Sequence, residues 1–224
     1  LVVRADGGVE SLSDLSGLRV AAPFGATTHY HLLVALELHG VDPGTVEILD
    51  MAPADILAAW QRGDIDAGFV WEPTLAAMLE LGGEVLISSR TLAEAGFLTG
   101  DIGIVHQGFA EEHPEIVTQY LRNQVWAVDL IRSEPNRAAE AVGRELGLSQ
   151  EEARRQMDSL LFLSGDEQLS PSYLGTSESP GGLATVFHET ARFLESQDTI
   201  REAPSPEEFA TAINPSFLEA ALAE

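Results

Sequence analysis

The sequence predicts an α/β fold in which a helix-covered, mostly parallel sheet is followed by a nearly all-helical half. Three observations carry this. Up to about His106, short apolar runs alternate with longer stretches of helical pattern, as in chained strand–helix–strand units. Beyond His106 the apolar residues keep a helical spacing with no further strand-like run. The chain has 224 residues, 45% of them hydrophobic, enough for one large or two small domains.

The elements follow in order. Residues 19–23 (RVAAP) form a short apolar strand after a turn at Ser16 and Gly17. A helix opens at Ala26, Thr27 and Thr28, runs to about Leu38 and is stopped by Gly40 and Pro43. Residues 46–51 (VEILDM) form the next strand. Pro53 suits the first turn of a helix ending near Arg62, with Gly63 just beyond it. Residues 67–71 (AGFVW) read as a strand and Pro73 begins another helix, to about Leu81. Strands over 85–88 and 101–106 complete this half. Helices are then expected over 114–133, 135–146, 149–161 and 182–196, with short pieces to Leu222. Ser149 and Glu152 have the spacing of a capping box.

Composition narrows the chemistry. Without cysteine there is no disulfide, thiolate metal site or cysteine nucleophile. No apolar run reaches the length of a membrane span. The formal net charge of −24 disfavours nucleic acid and anionic lipid as partners. All twelve basic residues are arginines. An anion bound by such a chain must be held by a local site, because the overall field repels it. Leu1 follows no charged, apolar leader, so any signal peptide is expected outside this chain.

Motifs for nucleotide, phosphate-loop and serine-hydrolase chemistry are absent from the sequence. The zinc-protease pattern fails at His188-Glu189, where Arg192 takes the second histidine position. His29 and His31, two apart on a helix, make a poor metal pair. Neither catalysis nor a cofactor is therefore expected.

Three positions are candidates for binding. Phe24-Gly25-Ala26-Thr27-Thr28-His29-Tyr30 lies between a strand end and a helix start. The first N–H groups of a helix lack internal partners and sit at its positive pole. With two hydroxyls beside them they make an anion site that needs no cation; equally, Thr27 simply caps the helix. Trp71-Glu72-Pro73 stands at the next strand end, where ligands of open α/β sheets bind. There Trp71 is a pocket wall or a core residue, and Glu72 an amine partner or a helix cap. Asp101 marks the passage into the helical half, as a cleft carboxylate or a solvated strand start.

Several stretches resemble the taurine and aliphatic-sulfonate binding proteins of ABC importers. They are ATTHYHLL (26–33), AAWQRGDIDA (58–67), FVWEP (69–73), FAEEHPEIV (109–117) and ETARFL (189–194). The resemblance implies the type II periplasmic-binding fold, with two α/β lobes that close on a ligand. Residues 1–3 would be a crossover strand, 4–103 a complete lobe two, and 104–224 the returning part of lobe one. Roughly ninety residues of lobe one would lie outside the chain, leaving apolar surface uncovered on the helices over 114–133 and 182–196.

It further implies a monomeric, extracytoplasmic protein that hands a taurine-like sulfonate to an ABC permease. Thr27, Thr28 and His29 would face the sulfonate, Trp71 the alkyl part, and Asp101 with Glu72 the ammonium. The chain departs from the resemblance at Asp101-Ile102-Gly103, where an aromatic is expected, and in the Ser-, Gly- and Pro-rich residues 172–182. A thiamine-precursor synthase on the same fold and the effector domain of a regulator are the rival readings. The synthase would need a histidine or lysine at the cleft, and only His29 is available.

Overall fold

The computed structural model describes residues 1–223 and divides into two compact units. The first comprises Leu1–Asp101 with Phe193–Ile200. Its strands are β1 (Val2–Arg4), β2 (Arg19–Ala22), β3 (Glu47–Asp50), β4 (Ala67–Gly68) and β5 (Gly83–Val85). Its helices are α1 (Thr27–Leu38), α2 (Pro53–Arg62), α3 (Thr74–Glu80) and α4 (Ser89–Glu94).

The strands form one sheet in the order β3-β2-β4-β1-β5. β2 pairs in parallel with β3 and β4, whereas β1 is antiparallel to both β4 and β5. Four strands thus share a direction, and β1 is inserted among them reversed. Alternate residues supply the two faces, as the pleat requires. Val3, Val20, Ala22, Ala67 and Phe69 pack with α1 through Leu32, Ala35 and Leu36. Val2 and Ala21 face the other way, onto Ile56, Ala59 and Trp60 of α2 and Met78 of α3. Gly68 belongs to that second face; a Cβ there would meet Met78 Cε at 2.9 Å and Ile56 Cγ2 at 3.2 Å. Small residues on the sheet therefore let large helix residues seat against it.

Polar ties fix the sheet's entry edge. Arg19 grips Asp66 with both Nε and Nη2 and also donates to the Gly63 carbonyl. The Arg4 guanidinium lies 4.1 Å over the Trp60 ring and donates to the Trp60 carbonyl.

The second unit, Ile102–Arg192 with the chain from Arg201 onward, is helical. It contains α5 (Gln107–Glu112), α6 (Pro114–Ser133), α7 (Pro135–Leu146), α8 (Gln150–Asp158), α9 (Gly165–Gln168), α10 (Leu183–Ser196, the end of which clusters with the first unit), α11 (Pro206–Ala212) and α12 (Ser216–Leu222). A small core of Ala138, Ala139, Ala153 and Met157 joins α7 to α8. The expected capping box at α8 is formed: Glu152 N–H donates to Ser149 Oγ, and Ser149 N–H to Glu152 Oε2. Arg132 pairs with Glu167 and, with the Ser164 N–H, holds that carboxyl down at about 2. Among the described residues no helix is long and apolar enough to cross a membrane.

The expected strand over 101–106 does not form. These residues carry no regular structure and are exposed, Ile104 to 88%. A strand needs a neighbour for its N–H and C=O groups, and neither sheet edge, β3 nor β5, receives this segment. The strand expected over 85–88 lies earlier, at Gly83–Val85, and that over 67–71 ends at Gly68. Helices α4 and α5 occupy residues left unassigned by periodicity. On α6, Ile116, Tyr120 and Trp126 are exposed, whereas α10 exposes no large apolar residue.

Candidate functional site

The parallel strands β2, β3 and β4 end at one edge of the sheet, and two of the three candidate positions, 24–30 and 71–73, follow the ends of β2 and β4. β2 leads through Pro23, Phe24 and Gly25 into α1. The chain can turn there because Gly25 has φ +76°, a left-handed conformation that a side chain disfavours. Phe24 N–H donates to Asp50 Oδ1 at 2.9 Å, so the last residue of β3 holds the loop.

Ala26 caps α1 and offers no side-chain acceptor. Helices α4, α8, α9 and α11, by contrast, begin at serines whose hydroxyls accept from the first turn. At α1 the His29 and Tyr30 N–H groups turn back to the Ala26 carbonyl. The Thr27 and Thr28 N–H groups find no acceptor among the described residues. Thr28 is only 4% exposed, and its Oγ1 is buried without a hydrogen-bond partner. Thr27 is exposed beside it. Two backbone donors and one buried hydroxyl therefore stand at the positive end of a 12-residue helix. The arginine of β2, Arg19, does not reach them: it lies at the far end of the strand, committed to Asp66.

His29 is buried, its ring stacked on Phe24 with centroids 4.1 Å apart and planes 7° from parallel. It also meets Phe193 edge-on, with centroids 5.8 Å apart. Burial pushes its pKa below the usual histidine value, against the opposing pull of Asp50. His31 is fully buried. Its Nδ1 lies 2.9 Å from Ser89 Oγ and its Nε2 2.9 Å from the Phe97 carbonyl. A carbonyl only accepts, so Nε2 carries the proton and Ser89 donates to Nδ1. Desolvation lowers this pKa also. His31 thus ties α4 and the following loop to α1, a role absent from the sequence reading.

At the end of β4, Trp71 is 44% exposed, and Glu72 Oε2 accepts from Ala76 N–H, capping α3. Asp101 is exposed, two residues beyond Thr99, whose hydroxyl is 3.4 Å from His31 Nε2. The structure thus brings Thr27, Thr28, His29, Trp71 and Glu72 to one edge, and shows no contact of Asp101 with them. Among the described residues no cluster of His, Asp or Glu is arranged to hold a metal. Sequence reasoning placed Phe24 in the candidate segment without giving it a role, and missed Asp50. The signal for Phe24 was an aromatic residue immediately before the glycine of a strand–helix turn.

The NMT1/THI5-like family profile matches residues 1–138, more than half of the chain. The chain belongs to this family. It is 37% identical over 190 residues to the taurine-binding periplasmic protein of Escherichia coli K12, covering 84% of this chain and 58% of that one. To the putative aliphatic sulfonates-binding protein of the same organism it is 27% identical over 148 residues, 66% of this chain and 46% of that one. The chain thus spans about half the length of these relatives. Among solved structures it superposes on the E. coli periplasmic aliphatic sulphonate binding protein with a TM-score of 0.76 at 23% identity, over 92% of this chain and 63% of that one. A desulfurization enzyme, DszB, shares the fold at TM-score 0.62 and 16% identity, over 99% and 75%. The type II periplasmic-binding architecture expected from the sequence is therefore the fold of this chain.

Proposed function

We propose that this chain is part of an extracytoplasmic solute-binding protein that captures taurine or a related small sulfonate for an ABC importer. The observation that carries the reading is the start of α1: two backbone N–H groups and the buried Thr28 hydroxyl without partners. A buried hydroxyl left unmet is costly, and a sulfonate oxygen is an acceptor that fits it and the two N–H groups beside it. The overall charge of −24 makes this kind of site necessary, because donors fixed at a helix start attract an anion that the global field repels. The names of the relatives at 37% and 27% identity support the same substrate class.

Trp71 packs on the alkyl part in this reading, and Asp101 pairs with the ammonium of taurine. Glu72 contributes by fixing α3 beneath Trp71. Residues 4–103 act as lobe two; residues 104–224 act as part of lobe one, to which the exposed Ile104, Tyr120 and Trp126 offer apolar surface. Binding without chemistry accords with relatives named as binding proteins, in a chain without cysteine or lysine. A Kd in the micromolar range corresponds to about 8 kcal/mol, within reach of a few charge-assisted hydrogen bonds.

The experiment is uptake. A strain deleted for the gene should lose high-affinity import of labelled taurine and regain it with the wild-type gene. Unchanged import in the deletion strain would contradict the assignment.

A further inference from the structure

Phe24 has no part in the reading so far, yet its placement is specific. Its N–H is fixed by Asp50, and one face of its ring is covered by His29 in a near-parallel stack. His29 is braced in turn by Phe193, which also meets Tyr30 edge-on at 4.9 Å. Phe24 is nonetheless 48% exposed. β2 and β4 pair with Ala21 opposite Gly68; three residues further along each chain stand Phe24 and Trp71. Two exposed aromatics therefore follow neighbouring strand ends, beside the unpartnered donors of α1. A lone exposed aromatic needs no explanation, but a ring held by a three-member aromatic column and left half open has the form of a preformed wall.

We propose that Phe24 is a specificity-determining residue that selects sulfonates by the apolar length of their organic tail. This rests on the sulfonate reading above and names the substrate class within it: organosulfonates with apolar carbon beyond the first methylene. The head group meets the α1 donors, and the tail lies against Phe24, with His29 as the positioning residue that keeps the ring in place. The full burial of a methylene corresponds to about fourfold in affinity, and a single wall supplies roughly half of that in logarithmic terms, about twofold.

The test uses the full-length protein and calorimetric titration with methane-, ethane-, propane- and butanesulfonate. In wild type, affinity should rise about twofold or more per carbon. Phe24→Ala should flatten that rise while leaving methanesulfonate within about threefold, and Phe24→Tyr should restore it. Thermal melting controls for folding, which an exposed ring should perturb little. If wild type binds these sulfonates and Phe24→Ala keeps the same slope, the assignment of Phe24 is wrong and the sulfonate site stands. If wild type binds none of the four, this inference fails, and titration of the same samples with taurine decides separately whether the sulfonate site stands.

Discussion

Replacing Thr28 by valine should move stability and affinity in opposite directions. The two side chains are nearly equal in size, so the packing beneath α1 is kept. What changes is one hydroxyl, buried and without a partner. A buried polar group left unsatisfied costs about 1–3 kcal/mol, which valine recovers in the free protein. In a domain of this size each kcal/mol shifts the Tm by roughly 2–4 °C, so the variant should melt a few degrees higher. A hydrogen bond from that hydroxyl to a charged sulfonate is worth about 1.5–3 kcal/mol, so the Kd for taurine should rise by roughly ten- to a hundredfold. Calorimetric titration and thermal melting of the same samples read both numbers. A lower Tm with an unchanged Kd would refute the reasoning, because Thr28 would then be satisfied in the free protein and idle toward ligand.

Three further outcomes are expected. His29 and His31 have pKa values lowered by burial; the neutral rings are favoured in the fold, so their contribution is complete above about pH 6.5 and lost as pH falls below it. Urea titrations at steps between pH 7.5 and 5 should show this loss, and His31→Gln should make it shallower; an unchanged slope would remove His31 from the account. Gly83→Ala should destabilise by about 1–3 kcal/mol, because its Cβ would meet Val2 Cγ1 at 2.5 Å and the Met78 carbonyl oxygen at 2.8 Å; a Tm within a degree of wild type would contradict the β1–β5 packing. Asp101→Asn should weaken taurine several-fold more than ethanesulfonate, and equal losses by titration would take Asp101 out of the amine role.

What the sequence revealed and concealed follows from which interactions are local. The turn into α1, the Pro53 start and Gly63 end of α2, and the Ser149–Glu152 box depend on neighbours in sequence, and all are found where expected. The apolar residues 101–106 have the composition of a strand, but a strand is completed by a partner far away in the chain, and here none pairs with it. The edge of β4 was misjudged for a related reason: Phe69 and Val70 are buried like strand residues although the ladder ends at Gly68. Helix α4 was legible in principle, with Ser88 as its cap and Gly96 beyond its end, but its six residues are too short for a periodicity. At the site, the backbone donors of Thr27 and Thr28 could be read from strand–glycine–helix order. The Phe24–His29–Phe193 column could not, because Phe193 comes from 164 positions beyond His29 in the chain.

Fixed neutral donors at the start of α1 are proposed to capture an anionic sulfonate. The most direct test is calorimetric titration of the full-length protein with taurine and with 2-aminoethyl methyl sulfone, which keeps the amine and removes the negative head. Taurine should bind at micromolar Kd or tighter, and the sulfone should give no measurable heat. Equal affinity for both, or no binding of taurine, would contradict the proposal.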